Sequence, residues 1–103
     1  MRERLVKTLR QMEELLRACG WDNRAEWLAS RRRVVESAPR TAPEFREALN
    51  DLQSVLVGMG SFSDVPMYPK PGAGLTRQEA LNQQWDLTET LGAAIREMVG
   101  QKE

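Results

Sequence analysis

The sequence predicts an all-α fold, an antiparallel four-helix bundle with a long ordered loop between helices three and four. Three observations carry that expectation. Apolar residues recur at alternating three- and four-residue steps in four separate segments, the period of one helix face. Helix stop and start signals separate those segments: Gly20, Pro39, Pro43, and Thr76 with Glu79. No run alternates polar and apolar for long enough to make a strand, and no internal repeat suggests a solenoid. The length of 103 residues fits one domain, residues 1–103, with a single core.

The first helix is expected over about residues 2–19, where Leu5, Leu9, Met12, Leu16 and Cys19 form a stripe that Val6 and Leu15 widen. Gly20 supplies a left-handed stop, and Trp21 is placed to fold back on Leu16 in a Schellman-type cap. The second helix is expected over 23–37, opened by an Asn23–Glu26 capping box with Asp22 as a rival cap. Pro39 closes it, because proline disfavours helical geometry in the residue before it. Thr41-Ala42-Pro43-Glu44 starts a third helix over 42–57, with Phe45, Ala48, Leu49, Leu52, Val55 and Leu56 at helical spacing. Thr76 and Glu79 form another capping box ahead of a fourth helix over 77–99, and Leu75 is set to staple onto Ala80. Its inner side is expected to hold Leu81, Trp85, Thr88, Leu91, Gly92, Ile95, Met98 and Val99.

Residues 58–75 have another character. They hold four of the seven glycines and three of the five prolines, so neither a helix nor a central strand persists through them. Met59, Phe62, Val65, Met67 and Tyr68 are too apolar for a solvated tether, so the segment is expected to fold back across the bundle. It serves there either as a plug that closes one end or as a stiff binding surface. A phosphate cradle at Gly58 and Gly60 is a weaker reading, since the flanking strand and the Lys-Ser/Thr of a Walker motif are missing.

Composition removes several classes of function. Fifteen Lys and Arg balance fifteen Asp and Glu, which argues against a dedicated nucleic-acid binder and against an acidic mimic. With no histidine, imidazole chemistry and the common zinc sites are excluded, and no metal or cofactor is expected. The single Cys19 permits no internal disulfide and fits a reducing cytoplasm. No apolar stretch approaches a membrane span, and the opening Met1-Arg2-Glu3-Arg4 does not read as a signal peptide.

Gly58-Met59-Gly60-Ser61-Phe62-Ser63-Asp64 resembles the Gly-Met-Gly-Ser-Phe-Asn-Asp element of small helical bacterial proteins of unknown function, with Ser63 where asparagine is usual. Some of those proteins resemble immunity proteins encoded beside polymorphic toxins. The resemblance implies a small cytoplasmic protein that binds a cognate toxin domain and occludes its active site or substrate path. It implies no catalytic residues.

The partner-binding candidates are Met59, Phe62, Asp64, Met67 and Tyr68 in the loop, then Trp27, then the Asp86–Glu89 pair that shares one helix face. Asp86 and Glu89, like Glu44 and Glu47, read first as a solvated face, because no convergent second set of ligands is present. Arg31-Arg32-Arg33 reads first as a solvated edge, since three consecutive helical residues fan over about 200°. Trp85 is expected in the core, and Cys19 as an inert buried thiol. The expected function is a non-enzymatic immunity protein, a monomer or weak homodimer. The alternative is a structural or adaptor bundle that self-associates or bridges other chains, with Gly92-Ala93-Ala94 allowing close helix approach.

Overall fold

The computed structural model describes residues 2–56 and 61–100, and is all-helical among them. Helix α1 spans Arg2–Ala18, α2 Asp22–Ser37, α3 Pro43–Ser54 and α4 Arg77–Gly100, with one 3₁₀ turn at Phe62–Asp64. Helix α1 is central: it packs against α2 and against α4, α2 packs on α3, and α3 meets α4 only over a short stretch.

Helix α1 buries Leu5, Leu9, Met12 and Leu16 completely, four side chains on one stripe. Each is worth roughly 1.5–3 kcal/mol when fully withdrawn from water. The helix closes in a Schellman motif: the Gly20 amide donates to Arg17 O at 3.1 Å and the Trp21 amide to Leu16 O at 2.8 Å. Gly20 takes φ +83°, a left-handed conformation that a Cβ disfavours.

The chain re-enters a helix at once, so Trp21 occupies the N-cap position of α2 and no side chain caps it. The expected Asn23–Glu26 box does not form, because both residues already lie inside the helix. Glu26 instead reaches Arg17 at 3.3 Å and Arg33 at 3.5 Å. Helix α3 likewise starts one residue later than the Thr41 box requires. Ala42 precedes proline, takes ψ 142° and becomes the N-cap, which leaves Thr41 outside.

Helix α3 ends at Ser54 instead of continuing to 57, the last position of which lies outside the described residues. Val55 and Leu56 tighten onto Leu52 O and Gln53 O, and the Val55 carbonyl accepts the Phe62 amide at 2.7 Å. That bond carries the chain out of the helix. The box opening α4 forms in both directions: the Glu79 amide donates to Thr76 Oγ1 at 3.0 Å, and the Thr76 amide to Glu79 Oε1 at 2.9 Å.

The inner side of α4 is Ala80, Gln84, Leu87, Leu91, Ala94, Ile95 and Met98. It keeps Leu91, Ile95 and Met98 of the expected stripe but replaces Leu81, Trp85 and Thr88 with Ala80, Gln84 and Leu87, a rotation of about one residue, roughly 100°, over the first half of the helix. Trp85 and Val99, expected inside, are exposed. The rotation follows from Gln84, which is buried because its Nε2 donates to Phe62 O at 2.8 Å and to Val65 O at 2.7 Å. The segment after α3 makes two further main-chain attachments. Trp21 Nε1 donates to Pro66 O at 2.7 Å, and the Lys70 amide donates to Ala18 O at 2.8 Å.

Ion pairs join the helices. Arg10 meets Glu36 at 2.8 Å, Arg32 meets Glu13 at 2.6 Å and Glu36 at 2.8 Å, and Arg31 meets Asp51 at 2.9 Å. Arg4 pairs with Glu97 across α1 and α4. Among the described residues, no helix is long and apolar enough to cross a membrane.

Candidate functional site

The loop candidates separate into an inner and an outer set. Phe62 and Met67 are buried, at 4% and 0% exposure, and join the core with Val65. In that position neither side chain reaches a partner's surface. Met59, with Gly58 and Gly60 of the same element, lies outside the described residues. Ser61 is buried, its hydroxyl 3.2 Å from that of Ser63, and the Asp64 amide closes the turn on Ser61 O at 3.0 Å. The Asp64 side chain is left exposed.

Tyr68 is 61% exposed and fixed in place by α4. Arg77 Nη2 donates to its hydroxyl at 3.2 Å, and the guanidinium lies 4.4 Å from the ring centroid. Trp85, two turns further along α4, is 63% exposed, with half-buried Leu81 between them. Asp86 and Glu89 are exposed beside it, Glu89 one turn on and Asp86 adjacent in sequence. Asp86 also borders a cleft of about 650 Å³ between α1 and α4. Leu15, Leu75 and Leu87 contribute to its apolar lining, and among the described residues its charged lining is Glu14 and Asp86.

Trp27 occupies a different place. It is half-buried at a cavity of about 240 Å³ with Met12, Leu16, Leu28 and Phe62, and Arg31 covers its ring at 4.8 Å. Trp27 and Phe62 therefore line one cavity, while Tyr68 packs on Arg77 at the start of α4 and Trp85, Asp86 and Glu89 follow further along the helix. Sequence reasoning missed Trp85 as a surface residue.

The arginine run of α2 is spent internally: Arg31 on Asp51, Arg32 on Glu13 and Glu36, Arg33 on Glu26. Hydrogen bonding to Glu13 raises the Arg32 guanidinium above its ordinary value, against the opposing cost of burial. Hydrogen bonds from Arg17 and Arg33 hold the Glu26 carboxyl below the usual glutamate value. Burial pushes the Cys19 thiol up, which makes its thiolate harder to form. Of the small patch on α4, Ala94 is buried while Gly92 and Ala93 are half-buried, and a Cβ on Gly92 would stand 3.8 Å from Leu56.

No group of three His, Cys, Asp or Glu that could hold a metal ion forms among the described residues. Chemically, what this surface offers is recognition: two exposed aromatic rings, one braced by an arginine, beside carboxylates. Compared with protein-family models, with curated proteins and with solved structures, the chain matches none.

Proposed function

We propose that the chain is an immunity protein, a non-enzymatic cytoplasmic inhibitor that binds a cognate bacterial toxin domain and occludes its active site or substrate path. The observation that carries this reading is the exposure of Tyr68 and Trp85 along α4, with Asp86 and Glu89 beside Trp85. Tryptophan, tyrosine and arginine are the residues most often found as energetic anchors of protein interfaces. The resemblance of the Gly58–Asp64 element to small helical proteins, some of them immunity-like, supplies the class of partner.

We further infer an antiparallel bundle whose loop, over residues 61–75, is an ordered strap. Arg10–Glu36, Arg32–Glu13 and Arg17–Glu26 support opposed directions for α1 and α2, because numbers rise on one helix as they fall on the other. Arg4–Glu97 at one end, and the cleft that Glu14 and Leu15 share with Asp86 and Leu87 further along, support the same for α1 and α4. The strap reading rests on the bonds from Gln84, Trp21 and Lys70. The strap serves as the brace, its buried residues fixing Tyr68 at the surface. The protein acts as a monomer or weak homodimer.

The test is binding to the toxin domain encoded by an adjacent reading frame, with rescue of cells that express it. Expected is a complex weakened at least about ten-fold by Trp85→Ala and by Tyr68→Ala, the loss typical of anchor residues. Failure of the purified protein to bind that domain overturns the proposal.

A further inference from the structure

Six aromatic rings are present in the chain. Four carry an arginine of the same chain: Arg2 lies 5.1 Å from the Phe45 centroid, Arg24 5.5 Å from Trp21, Arg31 4.8 Å from Trp27 and Arg77 4.4 Å from Tyr68. The fifth, Phe62, is buried. Trp85 is the sixth. It is more than half exposed, and among the described residues no cation lies over it.

The nearest arginines on α4, Arg77 and Arg96, stand about two and three turns from Trp85. Arg77 stacks on Tyr68, and the Arg96 guanidinium lies against Gly92. The charged residues within one turn of Trp85 along α4 are Asp86 and Glu89, both acidic. Glu89 stands one turn on, on the same side of the helix, and Asp86 lies about 100° round from Trp85; neither forms an ion pair among the described residues. Asp86 leads into the cleft whose other charged residue is Glu14. An incoming cation meets the negative face of the indole and two carboxylates, whereas an incoming anion meets repulsion.

We propose that Trp85 and Glu89, with Asp86 flanking them, form the seat for an arginine side chain of the partner protein, giving this exposed ring the guanidinium that Arg77 gives the exposed ring of Tyr68. Arginine fits better than lysine, because a planar guanidinium stacks on the indole while its edge forks onto a carboxylate. The inference rests on the protein-binding reading and adds the chemistry of the contact: a basic surface of the partner.

The test is titration of the ¹⁵N-labelled whole chain at low salt with acetyl-(Gly-Arg)₃-amide, observed at the Trp85 indole N–H and the Asp86 and Glu89 amides. Expected is a saturable shift confined to this part of α4, lost near 1 M salt and weaker with the lysine counterpart. Glu89→Gln and Trp85→Leu should each weaken binding about two- to five-fold. No saturable shift, indifference to both substitutions, or an equal response to acetyl-(Gly-Glu)₃-amide overturns the seat. A toxin complex that is weakened by Trp85→Ala but ignores Glu89→Gln also overturns the seat while leaving the docking reading intact. Absence of any such complex overturns the docking reading instead.

Discussion

Replacing Gln84 with methionine removes two hydrogen-bond donors at nearly constant volume, and its cost follows from what surrounds them. Gln84 is 6% exposed and donates to the carbonyls of Phe62 and Val65. Each bond contributes about 0.5–1.5 kcal/mol net, and a carbonyl left buried without a donor costs about 1–3 kcal/mol. The segment escapes that penalty only by opening to water. Opening exposes Phe62, Val65 and Met67, each worth roughly 1.5–3 kcal/mol of burial, so the closed form with unsatisfied carbonyls is the cheaper outcome. The expected loss is therefore about 2–4 kcal/mol, or a fall in Tm of roughly 10–25 °C for a domain of this size. Thermal unfolding by circular dichroism measures it, with Gln83→Met, at an exposed neighbouring position, as the control expected within about 0.5 kcal/mol of the parent. Native-state exchange of the Phe62 amide, which donates to Val55, should accelerate in the same variant. Equal stability of the two variants, with a Phe62 amide already unprotected in the parent, would refute the clamp.

Three further outcomes are expected. Phe62→Ala should lower stability by about 3–5 kcal/mol, whereas Tyr68→Ala should stay within about 0.5 kcal/mol in urea unfolding; equal effects would mean that the inner and outer sets are misassigned. Arg32→Met leaves Glu13 with little access to water and should cost about 3 kcal/mol, much of it recovered in the double variant with Glu13→Leu; additive losses in a double-mutant cycle would argue against the pair. The Glu26 carboxyl should titrate below the ordinary glutamate value by NMR. Because its folded pKa is depressed, its contribution to stability is present above the unfolded pKa and fades as pH falls through the folded one, and Glu26→Gln should flatten that acid limb.

The α1 stripe and its Gly20 stop were legible because helix period and glycine chemistry are local properties. The capping boxes at Asn23 and Thr41 misled for a local reason of another kind. Each had a competing neighbour, the Schellman turn at Gly20 in one case and the pre-proline Ala42 in the other. The side of α4 that faces inward was legible in its second half, at Leu91, Ile95 and Met98, and not in its first. Leu81, Trp85, Thr88, Gly92, Ile95 and Val99 keep a seven-residue rhythm, while the observed inner side requires a glutamine at position 84. Burial of that glutamine is acceptable only because carbonyls from distant Phe62 and Val65 meet it, and such a meeting has no sequence signature. The same rotation sends Trp85 outward, so the exposed ring at the centre of the proposed docking surface was the one assigned to the core.

Amide exchange across the whole chain, measured with and without the purified cognate toxin domain, tests the docking surface most directly. Expected is new protection confined to Tyr68 and the Arg77–Glu89 stretch of α4. Protection concentrated on α2 and α3 around Trp27, with α4 unchanged, would contradict it.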